Sequence, residues 1–234
     1  MTGEWTRTRG LNAYMASPVA GPRRSGMLVL PMVTGIGAQV REYAHGMASA
    51  GVTAVVWDPF EGRSSDNSSG EELLSLMGQL DDAAVCAEQV RLLDHMFEDL
   101  GLAQVGVLGW CMGGRFALLL AAQDGRLANC VAYHPTVPEE PWANHTEDPV
   151  ARCAQIAAPV QLIYPGADHL VSHTVFRALQ ERLQQRSAAA THVSVYPEAE
   201  HGFMDAWKRG SVVNLAATRQ SWATAMAFIQ ATLD

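Results

Sequence analysis

The sequence predicts an α/β fold: a doubly wound, mostly parallel sheet with helices on both faces. Three observations predict it. Short apolar runs rich in β-branched residues recur at 27–32, 52–57, 105–108, 129–134 and 160–163, and such continuous runs mark strands covered on both faces. These runs alternate with segments whose apolar residues fall at helical spacing, the pattern of strand–helix crossovers. One run passes through Gly109-Trp110-Cys111-Met112-Gly113-Gly114 directly into an apolar helix-like stretch at 116–122, which is a strand, a tight turn and a helix in succession.

In chain order, residues 11–16 alternate weakly and suit an edge strand, closed by Ser17-Pro18 and a polar turn through Arg23, Arg24, Ser25 and Gly26. The strand at 27–32 follows. Gly35-Ile36-Gly37 opens a helix over 38–50 with Val40, Tyr43 and Met47 on one face, and Gly51 serves as its C-terminal cap. After the strand at 52–57, residues 58–70 are polar and rich in Ser and Gly, so they form a surface loop, either a solvated connection or one wall of a cleft. Residues 71–100 carry a long helical pattern that Gly78 breaks in two. Beyond the strand at 129–134, four prolines and Trp142 make 135–149 an irregular loop, where His134 and His145 are candidate lining residues. Helices at 172–185 and 212–233, with a strand at 193–196 between them, complete the alternation. No repeat or linker interrupts it, so the expectation is a single domain spanning 1–234.

The strand–turn–helix unit carries the chemistry. Glycines two residues before and two after Cys111 let strand and helix approach closely around a strained central residue. That residue projects from the turn beside a helix N-terminus, whose free amides favour negative charge and lower a thiol pKa. A nucleophile so placed needs an acid and then a histidine downstream. Gly166-Ala167-Asp168 closes one apolar strand, and Glu200-His201-Gly202 lies in the loop after another. Both lie past strand ends, where open α/β sheets form their ligand crevice. Cys111, Asp168 and His201 are therefore the candidate catalytic residues. By position, the amides of Met112 and Val33 are the candidate oxyanion donors.

These motifs resemble the dienelactone hydrolase family of the α/β-hydrolase fold. The resemblance rests on Gly109-Trp110-Cys111-Met112-Gly113-Gly114, Gly166-Ala167-Asp168-His169 and Glu200-His201-Gly202-Phe203, and extends through Asp58-Pro59-Phe60. It covers the chain from about Leu11 to the C-terminus. It implies a hydrolase that cleaves a small ester or lactone through a Cys-His-Asp triad and an acyl-enzyme. Two positions depart from the family pattern. Met32 stands where similar enzymes carry a glutamate that helps deprotonate the thiol, and Asp205 stands where they carry an arginine that pairs with a substrate carboxylate. Carboxylated dienelactone is therefore doubtful as the substrate, unless Arg63, Arg115, Lys208 or Arg209 supplies another cation. Phe60, Trp110, Trp142 and Phe203, with Met32 and Asp205, are the candidate pocket residues, although core packing explains the aromatic ones equally well.

Composition bounds the rest. The chain has 234 residues, 48% hydrophobic and 17% charged, which is ordinary for one well-buried globular domain. A net charge of −8 argues against nucleic acid or an anionic membrane as partner. The first residues, Met1 to Trp5, lack the pattern of a signal peptide, and no apolar run is long enough to span a membrane. Cys86, Cys111, Cys130 and Cys153 are widely spaced, which suits reduced thiols in a cytoplasm better than disulfides or a metal site. The expectation is a cytoplasmic enzyme with a small-molecule ester or lactone substrate, no cofactor and no metal; the oligomeric state is open. Two rivals stay open: a non-hydrolytic thiol enzyme (an acyltransferase, or a ring-opening or isomerising enzyme) and a non-catalytic small-molecule binder.

Overall fold

The structure, a computed structural model, describes residues 2–19, 24–187 and 189–233. Eight strands form one sheet in the order β1-β2-β4-β3-β5-β6-β7-β8. The strands are β1 (Thr2–Thr8), β2 (Leu11–Ser17), β3 (Ser25–Leu30), β4 (Thr53–Trp57), β5 (Gln104–Trp110), β6 (Cys130–Tyr133), β7 (Val160–Ala167) and β8 (Thr191–Glu200). From β4 through β8 all neighbours are parallel; β1 and β2 join as an antiparallel hairpin on the β4 edge. The doubly wound, mostly parallel fold read from the sequence is the one observed.

Helices cover both faces. Helix α1 (Ala38–Ser49) and α7 (Val212–Leu233) lie on one side, where Val40, Tyr43, Met47, Ala217 and Ile229 pack on Met27, Val29, Leu108 and Trp110. On the other side lie α3 (Asp82–Asp94), α4 (Met112–Gln123) and α6 (His173–Gln184), with Leu92, Phe116, Leu119 and Phe176 against Leu28, Leu30, Val105 and Val107. Alternate residues of β3 and β5 thus divide between two apolar layers, as the period of two requires. The long helical pattern splits at Gly78 as expected, into α2 (Gly70–Met77) and α3. Helix α2 begins with a capping box between Ser69 and Glu72, and the Asp81 carboxylate accepts the Ala84 amide at the start of α3. A short α5 (Pro149–Arg152) ends the irregular loop after β6. Gly51, with φ of +89°, lies one residue past the Ala50 cap of α1 and takes the left-handed conformation that ends helices.

Several boundaries differ from the expectation. Strand β1 went unread because its side chains are largely exposed, so no apolar alternation marks it. Its turn residues Arg9 and Gly10 both have positive φ, 47° and 82°, which suits the twist of a two-residue hairpin. Of the polar turn read at Arg23 through Gly26, Arg23, like Met1, lies outside the described residues, and Ser25 and Gly26 belong to β3. Strand β8 runs to Glu200 rather than stopping at Tyr196, because after an irregularity at Gly166 the pairing resumes at Ala167 and Glu200.

The elbow is built by close approach. A Cβ on Gly109 would sit 2.0 Å from the Gly113 carbonyl oxygen, and one on Gly113 would sit 2.1 Å from that of Leu30. Both obstacles are backbone, so no rotamer change relieves them. Gly113→Ala should therefore cost about 1–3 kcal/mol. Gly125→Ala, where an added Cβ meets nothing within 4 Å, is the control and should leave stability nearly unchanged. Thermal unfolding of the two variants checks this; equal melting temperatures would mean that the elbow yields.

Candidate active site

Three strand ends bring the candidate residues together. Cys111 connects β5 to α4 with φ 55° and ψ −118°, an uncommon conformation for a residue with a side chain. Its amide donates to the Tyr133 carbonyl at 3.0 Å, and its carbonyl accepts from the Thr136 amide at 3.0 Å and the Arg115 amide at 3.1 Å. The exit of β6 therefore clamps the elbow. On the other side, pairing of Ala167 with Glu200 places the next residues, Asp168 and His201, side by side. This contact needs Gly166, where a Cβ would lie 2.4 Å from the Pro197 carbonyl oxygen.

Asp168 and His201 are joined through Oδ2 and Nδ1 at 2.8 Å, and the Asp168 side chain is fully buried. Its other oxygen accepts the amides of Leu170 and Val171 at 2.8 and 3.0 Å, so both carboxylate oxygens are engaged. Lys208 Nζ donates to the His201 carbonyl at 2.6 Å and lies 3.3 Å from Glu200, tying down the histidine loop. The buried Nε2 of His201 has no hydrogen-bond partner among the described residues; its coupling to Cys111 is electrostatic.

Electrostatics couples the three groups. Burial pushes the Cys111 thiol up, but the charge of His201 and hydrogen bonds from Thr136 and the Met112 amide outweigh it, and the thiol falls below its usual range. Burial works against His201 as well. The thiolate and the hydrogen bond to Asp168 outweigh it and raise the imidazole well above its ordinary value. Both shifts run in the direction that favours a thiolate beside an imidazolium. His134 lies beside it, with ring centroids 4.8 Å apart. Burial and then the His201 charge hold His134 well below the usual histidine range, so it stays neutral.

The proposed oxyanion donors occupy adjacent segments, since the first turn of α4 abuts the end of β3 at Leu30. Met112 is the first residue of α4, and Val33 lies half-buried in the turn that Gly35 closes by donating to the Met32 carbonyl at 3.0 Å.

The candidate pocket residues divide. Trp142 is partly exposed and lines a narrow crevice with Met77, Leu80, Met112 and Thr136. Phe60 lies under a neighbouring cleft of about 880 Å³ beside α2. Met32 is buried in the layer beneath α1. Trp110 and Phe203 belong to the core instead. Trp110 points to the α1 side of the sheet and stacks on Tyr43 at 5.1 Å and Trp222 at 6.4 Å, while Phe203 is fully buried against Tyr133, His134 and Tyr196. Asp205 is withdrawn from solvent. It is buried behind His201, where loss of water pushes its carboxyl up to about 6.

The candidate cations are engaged elsewhere. Arg115 forms a buried two-point pair with Asp82 and also donates to the Glu147 carbonyl. Arg209 reaches Glu42 and the Tyr43 hydroxyl, and Arg63 lies 3.5 Å from Glu72. His145 lines the Trp142 crevice, with burial lowering it to about 4. The sequence did not reveal Thr136, whose Oγ1 lies 3.1 Å from the Cys111 sulfur. A lone threonine in an irregular loop carries no signal; only the pairing of Trp110 with Tyr133 brings it to the elbow.

The sequence profile of the dienelactone hydrolase family matches residues 11–233. The chain belongs to the dienelactone hydrolase family. A Klebsiella pneumoniae structure assigned as a dienelactone hydrolase superposes with a TM-score of 0.85 over 98% of both chains, at 22% identity, a likeness of fold. A Bradyrhizobium protein assigned as a 2-oxo-3-(5-oxofuran-2-ylidene)propanoate lactonase is 23% identical over 221 residues, covering 93% of this chain and 88% of its own. The carboxymethylenebutenolidase of Rhodococcus opacus is 25% identical over 205 residues, covering 87% and 80% respectively. This family member is a dienelactone hydrolase-like hydrolase with the α/β-hydrolase fold. None of its described helices is long and apolar enough to cross a membrane.

The four thiols should react very differently. Burial pushes Cys86 and Cys153 up to about 11 and Cys130 to about 12, whereas Cys111 is lowered. Limiting iodoacetamide at neutral pH should therefore label Cys111 first, as peptide mass mapping will show. First labelling of any other cysteine would remove Cys111 as the activated thiol.

Proposed function

We propose that this chain hydrolyses small neutral esters or lactones through Cys111, His201 and Asp168 by way of an acyl-enzyme. The observation that carries this reading is His201 held at 2.8 Å by buried Asp168, with its charge lowering the Cys111 thiol and so favouring a thiolate nucleophile. The thiolate attacks the carbonyl carbon, forming a sulfur–carbon bond as the carbonyl pair moves to oxygen. The amides of Met112 and Val33 receive that charge; loss of one such donor typically costs about 3 kcal/mol. As the tetrahedral species collapses, His201 gives its proton to the leaving alkoxide, which in a lactone stays tethered to the acyl group. His201 then removes a proton from a water that attacks the thioester, and the thiolate departs. Asp168 keeps the imidazole in one tautomer and stabilises its charge throughout.

Neutral substrates are proposed because the nearby cations are occupied. Arg115, Lys208 and Arg209 each have acidic partners, and Asp205 adds no positive charge behind the site. We further propose that the chain works as one domain in a cytoplasm; its four free cysteines support a reducing compartment.

Cys111→Ala and His201→Ala should each abolish turnover of a neutral aryl ester, and the double variant should be little worse than either single one. Multiplying effects would mean that the residues act independently. Wild type should also turn over a neutral aryl ester or lactone with higher kcat/KM than its carboxylated analogue. The reverse preference, measured at low and moderate salt, would show that one of the paired arginines is freed to bind the anion.

A further inference from the structure

The hydroxyl of Thr136 lies against the reacting sulfur, and three observations define its place. Oγ1 is 3.1 Å from Cys111 Sγ, the only hydrogen-bond partner this oxygen has among the described residues. The threonine is 2% exposed. Its amide donates to the Cys111 carbonyl at 3.0 Å, while the Cys111 amide donates to Tyr133, so main-chain bonds on both sides hold residues 133–136 against the elbow. The hydroxyl is set by the backbone and by a branched side chain with few rotamers, not by a flexible arm.

We propose that Thr136 is a catalytic residue whose hydroxyl is the fixed hydrogen-bond donor to the Cys111 thiolate, and that it sets the pH at which the nucleophile becomes available. The proposal rests on Cys111 being the nucleophile. A hydroxyl beside a neutral thiol can donate or accept, but beside a thiolate it can only donate. It therefore favours the charged form, as hydrogen bonds to charged groups do.

The surrounding groups leave this role to Thr136 and His201. On the β8 side stand His201, with Lys208 and Asp205 behind it; on the β7 side, Asp168 acts through His201. The β6 exit contributes Thr136 and neutral His134. Met32 and Val33 at the end of β3 carry no titratable group. Across the crevice from Thr136, Arg115 is paired with Asp82, and His145 is held neutral.

Thr136 differs from His201 in the fate of its proton. His201 carries a proton that it later delivers, whereas the Thr136 proton stays on its oxygen. When the sulfur–carbon bond forms, charge leaves sulfur for the carbonyl oxygen and the hydroxyl contact weakens. Thr136 therefore stabilises the resting thiolate more than the transition state. Removing it should make the thiolate scarcer at low pH but more nucleophilic once formed, because thiolate reactivity rises with thiol pKa.

The test is the pH dependence of Cys111 alkylation by iodoacetamide, mapped by peptide mass, in wild type, Thr136→Val and Thr136→Ser. kcat/KM for a neutral aryl ester is followed over the same range. In Thr136→Val the alkylation inflection should move up by about one pH unit, with roughly tenfold slower labelling below it. The high-pH plateau should equal or exceed that of wild type, and Thr136→Ser should restore the wild-type profile. An unshifted inflection in Thr136→Val overturns the proposal. So does an equal shift in Thr136→Ser, which would trace the effect to packing of the methyl group. If Thr136→Val does not fold, Thr136→Ala compared with Thr136→Ser decides the same question. Alkylation reads the thiol without turnover. A Cys111→Ala enzyme that still hydrolyses the ester would sink the function proposed above while leaving the Thr136 result readable.

Discussion

The candidate site turns on one electrostatic balance: a sulfur withdrawn from water is set against the neighbours that favour its charged form. Burial alone would leave Cys111 as unreactive as Cys86, Cys130 and Cys153, which lie in the same cores and are all pushed to about 11 or 12. The difference is made by His201 facing the sulfur, by Thr136 at 3.1 Å and by the Met112 amide at the start of α4. His201 is raised in turn by the charge of Cys111 and by Asp168, which stands behind it at 2.8 Å with both oxygens engaged. The charge on Cys111 is thus a property of three strand ends held in register.

That dependence explains what was legible in the sequence. Gly109 and Gly113 are required where backbone meets backbone, and such positions leave an unmistakable residue type. Asp168 and His201 follow apolar strands in an order that only a sheet brings together, so their pairing could be expected before their contact was seen. Burial direction could not. Trp110 and Phe203 sit within the two best motifs, yet strand parity and a tight turn send their rings into the core. Asp205 has the same chemistry whether it faces a substrate or lies behind the histidine; only the turn beginning at Gly202, φ +71°, decides which. Thr136 needed the β5–β6 register, and β1 needed its partner β2, because neither is marked by local hydrophobicity.

Activation in this chain does not need a carboxylate at position 32. A substrate-triggered base suits a thiol that rests neutral. Here the thiol is lowered and the imidazole raised before any substrate arrives, which favours transfer of the proton to His201 in the resting state. A methionine at the end of β3 is compatible with that arrangement, since it adds apolar contacts beneath α1 without placing a second negative charge beside the sulfur. Such a charge would raise the thiol and work against the ion pair.

The costs of this arrangement lie close together. Cys111 has an unfavourable backbone, His134 buries two ring nitrogens without partners, and Asp205 buries an oxygen that accepts nothing. Each would be a defect in an ordinary core, worth roughly 1–3 kcal/mol. They occur where β5, β6 and β8 end, around a sheet whose two faces are packed by long apolar layers. The distribution has a physical logic. A rigid scaffold can carry strain that a loose one would relax, and relaxation here would move His201 or Thr136 away from the sulfur. The well-packed layers therefore serve the chemistry by denying the site its more comfortable geometries, and the poorly satisfied groups mark where that denial is greatest.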